Sequence, residues 1–148
     1  MRVQNKDRPS NSYTHAARDV RFPLMDCSSA VSPTLRMSSV GLALAYYLPD
    51  CEDSAVVAFE DVECWFYGYP GDERLHHHKL WGHGLDFYWF HQLEPARSGS
   101  KVCWLATFHD GTFEVVAGSS QVLQERVKST APCAALTEVL GPGSSEVL

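Results

Sequence analysis

His109 and Glu114 flank an Asp110-Gly111 dipeptide that brings an imidazole and a carboxylate close together in the chain. The runs on either side, Lys101 to His109 and Thr112 to Ala117, are rich in β-branched and aromatic residues. Asp-Gly between two such runs is a strong hairpin signal. A two-residue turn there pairs His109 with Thr112, Phe108 with Phe113, Thr107 with Glu114 and Ala106 with Val115. Side chains alternate along a strand, so Trp104, Ala106, Phe108, Phe113 and Val115 form an apolar face. His109, Thr107, Thr112 and Glu114 fall on the other face. A histidine oriented by a carboxylate is the minimum equipment for general acid–base chemistry, which makes these four the candidate catalytic residues. The plainer reading is that polar groups beside a turn face water, because a catalytic site also needs a concave pocket. A bulged turn shifts the register by one residue and undoes the pairing.

A second constellation is His76-His77-His78, followed by His83. Imidazole suits zinc, copper, nickel and iron, and three or four ligands must converge to hold one of them. In an extended segment His76 and His78 share a side, and His83 can close the set, so these three are the candidate metal ligands. The spacing fits no HExxH or CxxC template. Consecutive histidines in a polar loop are usually solvated, so no cofactor is expected, and a divalent metal is the alternative. A third group, Trp65, Tyr67 and Tyr69, alternates along one strand and offers rings for stacking a planar ligand. The competing reading is that such a stripe is core.

These residues need a scaffold, and the composition places it. All four Trp lie between Ser54 and Glu125, and that stretch also carries the whole net charge of −6. Its period is two. Ala55 to Phe59 and Val62 to Tyr69 read as strands joined by a tight turn at Glu60-Asp61. Leu85 to Leu93 resumes the alternation. Val40 to Leu48 is apolar and reads as a buried strand or a short helix. The expected fold is mainly β, with α+β as the alternative: a small antiparallel meander, curled or half-barrel, with at most one or two short helices and one sheet face exposed. Residues 1–36 are rich in Ser, Asn, Pro and Arg without a period, and are expected to be disordered or loosely draped. The β domain is assigned to 37–128, and 129–148, closing with Gly141-Pro-Gly-Ser-Ser, to a flexible tail.

Charge and cysteine usage narrow the function classes. An acidic core opposes a phosphate backbone as partner, since that affinity comes from Lys and Arg displacing counterions. No apolar stretch approaches the about 20 residues of a spanning helix, and none reads as an export signal. Five cysteines, an odd number without a CxxC pair, fit a reducing cytoplasm.

The stretch Thr107-Phe-His-Asp-Gly-Thr-Phe-Glu-Val-Val-Ala117, with Val57-Ala-Phe-Glu-Asp-Val62 and Leu80-Trp-Gly-His-Gly-Leu85 upstream, resembles a group of short uncharacterised bacterial proteins. Those carry a Phe-His-Asp-x-Thr-Phe-Glu stretch after a Gly-Leu-aromatic strand. The resemblance spans about residues 56 to 118 and implies no activity. The functional expectation is therefore a non-catalytic binding or interaction module whose partner is a protein, a small ligand or a second copy in a homodimer. The alternative is a small enzyme using His109 and Glu114, with or without a metal.

Overall fold

Runs of Val, Ala, Leu and aromatic residues between polar turns pair into a single antiparallel sheet. The computed structural model describes residues 8–27, 31–95 and 101–148. Its strands are β1 (His15–Arg18), β2 (Thr34–Ser38), β3 (Gly41–Tyr47), β4 (Ser54–Gly68), β5 (Phe90–Glu94), β6 (Val102–Thr107), β7 (Thr112–Val127) and β8 (Glu146–Val147). They lie in the order β1-β5-β6-β7-β4-β3-β2-β8, and the sheet does not close. Two 3-10 turns, Pro9–Ser12 and Asp72–His77, and one helix, α1 (Pro132–Leu140), complete the described elements. No helix among the described residues is long and apolar enough to cross a membrane. The mainly β class anticipated from periodicity is the class observed.

The long pair β4–β7 is the spine. Glu60-Asp61 is not a turn: the strand runs through it, with Asp61 in the left-handed region at φ 55° and a register shift between Val62 and Cys64. Opposite this irregularity a Cβ at Gly118 would lie 3.0 Å from Asp61 Oδ2, so the glycine gives the bend its room. The same shift puts Val62 and Trp65 against one face and Cys64 against the other.

The β6–β7 hairpin also differs from expectation. Thr107 pairs with Thr112, Ala106 with Phe113, Leu105 with Glu114 and Trp104 with Val115. The loop therefore spans 108–111, closed by Phe108 N–H donating to Gly111 O at 2.9 Å. His109 leaves the ladder because its carbonyl accepts the Asp72 N–H at 3.0 Å. The slip is by two residues, an even number, so the two faces keep the expected membership. The expected strand from Leu85 begins only at Phe90, after Tyr88 at φ 60°.

Both faces are covered, against the expectation of one exposed face. The inner face buries Tyr46, Phe59, Phe90, Trp104, Phe108 and Phe113, and Phe22 and Met25 from residues 19–26 pack into the same cluster. Phe22 stacks on Phe90 at 4.3 Å between ring centroids. The outer face carries two clusters. One holds Tyr13, Leu75, Leu80, Leu105 and Val116, beneath the 3-10 turns. The other seats Ala135 and Leu136 of α1 on Ala43, Ala45, Val56 and Ala58.

The segments assigned to loose ends are thus structural. Residues 8–27 and 31–36 supply β1, the start of β2 and the cover of the inner face, and the rest of the 1–36 segment lies outside the described residues. Residues 132–148 supply α1 and β8, with Leu148 buried. The reason is that few residues do the anchoring, so composition averages hide them. Arg36 illustrates it: its buried guanidinium donates to the carbonyls of Gly141 (2.6 Å) and Pro142 (2.9 Å), at the negative end of α1.

Candidate functional site

Glu114 and His109, paired in the sequence reading, belong to two different clusters. Glu114 sits on β7 with its side chain on the outer face, fully buried. Arg8 reaches it from the first 3-10 turn: Nε donates to Oε2 at 2.8 Å, and an Arg8 terminal amino group makes a second contact to the same oxygen. Arg8 also donates to Thr112 Oγ1 at 2.8 Å and lies over the Phe66 ring at 4.2 Å. The Ser10 N–H donates to Glu114 Oε1 at 2.8 Å. His78 adds a third segment. Its Nδ1 accepts the Leu80 N–H at 3.0 Å, so in the neutral ring the proton sits on Nε2, which faces Glu114 Oε2 at 3.4 Å. Burial pushes the Glu114 carboxyl up, but His78, Arg8 and Ser10 outweigh it and hold it below the ordinary range. The carboxylate is occupied on both oxygens and sealed from solvent, which makes it an anchor for the N-terminal segment.

His109 is held by Asp72 instead. Nδ1 donates to Asp72 Oδ2 at 2.7 Å, and Tyr88 O–H donates to the same oxygen at 2.5 Å. On the other side Nε2 lies 3.8 Å from Asp110 Oδ1, and Ser32 O–H donates to Asp110 Oδ2 at 2.8 Å. The bond to Asp72 raises the His109 proton affinity, burial works against it, and the charges of Asp72, Asp110 and Glu73 add to the rise. Beside the ring is a recess of about 10 Å³, room for roughly one water, bordered by Asp26, Ser32, Tyr47 and Phe108. A carboxylate fixing Nδ1 is the arrangement that orients a histidine for proton transfer.

The remaining candidates are dispersed. Thr107 is buried, donating to Asp86 O at 2.7 Å and accepting the Trp89 N–H at 3.1 Å, so it ties loop backbone. Thr112 accepts from Arg8. Of the proposed metal ligands, His78 is turned inward to Glu114, His76 packs on His77 with centroids 4.2 Å apart, and His83 meets His15 edge-on at 6.0 Å. Among the described residues no three His, Cys, Asp or Glu side chains converge as a metal would require. The aromatic stripe is split as well. Tyr67 is buried in the inner core, Trp65 packs partly against it, and Tyr69 is exposed beyond the strand end, bonded through its hydroxyl to His77 Nδ1. The end of β4 at Gly68 separates Tyr69 from the other two.

Sequence reasoning missed three things: Arg8 as the partner of Glu114, Asp72 as the partner of His109, and an aromatic knuckle at 81–89. A signal existed for the second, the glycine before Asp72. A Cβ at Gly71 would lie 2.9 Å from His109 O, so the close approach of the two loops requires its absence. The knuckle comes from the segment expected to be a strand. Trp81 and Phe87 meet edge to face at 5.6 Å and are 40% and 42% exposed. Next to them Arg18 lies over Trp89 at 4.3 Å and bonds Asp86 at 2.6 Å. No family model, curated protein or solved structure matches this chain.

Proposed function

We propose that the chain is a non-catalytic interaction module that presents Trp81 and Phe87 to a protein partner. The observation that carries this reading is the Trp81–Phe87 edge contact on the outside of the molecule, with both rings about two-fifths exposed. Large aromatics are normally drawn inside, as the ring cluster on the inner face is, so a mutually supported exposed pair is a surface held ready for burial. Trp and Arg are also the residues that dominate binding energy at protein interfaces, and the Arg18–Trp89 stack adjoins the pair. The companion reading of a reducing, cytoplasmic setting is supported by the cysteine usage of the sequence, five in number and without a CxxC pair.

The test is site-specific photocrosslinking from position 87. A benzoylphenylalanine in place of Phe87 should give one dominant adduct in cells, and Trp81→Ala should abolish it while leaving the folded population unchanged. A smear of adducts insensitive to Trp81→Ala, or none, overturns the reading.

A further inference from the structure

We propose that His109 is a pH-operated latch that, as an imidazolium, ties the β6–β7 turn to Asp72 on one side and to Asp110 and Ser32 on the other. The geometry is that of a ring between two carboxylates. Nδ1 bonds Asp72 Oδ2 at 2.7 Å and Nε2 faces Asp110 Oδ1 at 3.8 Å. A neutral imidazole carries one N–H and can satisfy one side only; the doubly protonated ring satisfies both. The two sides are unequal. Asp72 is fixed by the Tyr88 hydroxyl and the Asp72 N–H bond to His109 O, so the short contact at Nδ1 keeps its proton. The proton lost to solvent as pH rises is therefore the one on Nε2. Its departure leaves a lone pair facing the Asp110 carboxylate, and attraction becomes repulsion.

Asp110 then moves from the ring, and its contact with Ser32 goes with it. That contact joins the turn to residues 31–33 across the small recess described above. Loss of the proton thus opens the recess, and gain of it closes the recess. The charged and titratable groups around the ring come from every neighbouring element. Asp72 and Glu73 belong to the second 3-10 turn and Asp110 to the ring's own loop. Tyr88 comes from the 81–89 connection, and Asp26 and Cys27 lie within electrostatic reach of that phenol. The acidic groups outnumber the basic ones, so the surroundings favour the charged ring. Both His109 and Asp110 are about two-fifths exposed, so salt screens the latch and the device is a weak one suited to tuning a loop.

The experiment is an NMR titration of the full chain between about pH 5 and pH 9, a window that brackets the ordinary histidine midpoint. It follows the His109 ring carbons and the backbone amides of Ser32 and Asp110. The expected result is a His109 midpoint above that of an unperturbed histidine, with the Ser32 amide moving at the same midpoint. Asp110→Asn should lower the midpoint and silence the Ser32 response, while Asp72→Asn should lower the midpoint further. A His109 midpoint at or below the ordinary value overturns the latch, and so does a raised midpoint that Ser32 does not follow. The titration uses the free protein, so it is independent of whether Trp81 and Phe87 bind a partner.

Discussion

Arg8 and Glu114, 106 positions apart, form an ion pair on the outer face, with the carboxylate fully buried and the guanidinium stacked on Phe66. The pair fixes where the N-terminal segment crosses the sheet, and so where β1 meets β5.

Removing one partner should be worse than removing both. Arg8→Ala leaves a buried carboxylate with only His78 and a backbone N–H, and breaking a buried pair in this way costs about 3 kcal/mol or more. Replacing both with apolar residues, Arg8→Met with Glu114→Leu, should recover much of that loss. Urea unfolding of the three variants measures the difference. A double variant no more stable than Arg8→Ala would show that the site depends on the charges themselves.

Part of the sensitivity to acid should come from Asp19. Burial pushes this carboxyl up, but bonds from Arg21, Gln92 and Trp104 bring it down to about 2, from an ordinary 3.8. A depressed folded value means the stabilisation is complete above about pH 4 and is lost as pH falls from there towards 2. The shift corresponds to about 2 kcal/mol at neutral pH. Asp19→Asn should remove this part of the acid limb, leaving a flatter stability profile between pH 4 and pH 2 in chemical unfolding.

Two glycines with similar backbones should respond differently to alanine. Gly82 and Gly84 have φ of 81° and 97°, so a side chain is strained at either. At Gly82 a Cβ meets nothing within 4 Å, whereas at Gly84 it would lie 1.8 Å from Ala16 O. Gly82→Ala should cost about 1 kcal/mol of conformational strain. Gly84→Ala should cost distinctly more and speed hydrogen exchange at Ala16, whose N–H donates to His83 O at 2.8 Å. Equal costs would mean that the 83–84 loop yields freely and does not guard the β1 edge.

The C-terminal segment should come loose from a single change at its anchor. Arg36→Met keeps most of the buried stem and removes the two bonds to Gly141 and Pro142. Bonds from a charged donor are worth roughly 1.5–3 kcal/mol. Proteolysis between 141 and 148 should accelerate many-fold, with the inner core unchanged by near-ultraviolet dichroism. Unchanged cleavage would show that α1 packing alone holds the segment.

What was legible in the sequence was what period and composition encode. Alternation identified β6, the start of β7 and, as two strands where there is one, β4, while β3 stayed open between strand and short helix. It assigned Trp104, Ala106, Phe108, Phe113 and Val115 to one face correctly even with the hairpin register two residues off. What stayed hidden depends on contacts between distant segments. Nothing near Glu114 announces Arg8, and nothing near His109 announces Asp72. The Asp110-Gly111 signal was read as a two-residue turn because the pull of Asp72 on the His109 carbonyl is invisible locally. Residues 8–27 lack a period because they bury side chains singly, Tyr13, Phe22 and Met25, against surfaces made elsewhere.

The sheet order also governs when the protein can become itself. β1 lies beside β5, and Arg8 waits for a carboxylate on β7. On a ribosome the segment that carries Arg8 and β1 therefore stays idle until the chain up to Glu114 has emerged, with only α1 and β8 still to follow. During that interval β2, β3 and the first half of β4 can pair, but the surfaces that receive Tyr13 and Phe22 do not yet exist. The hydrophobic residues of that segment stay exposed throughout that interval, and a chain stalled before β7 leaves them so.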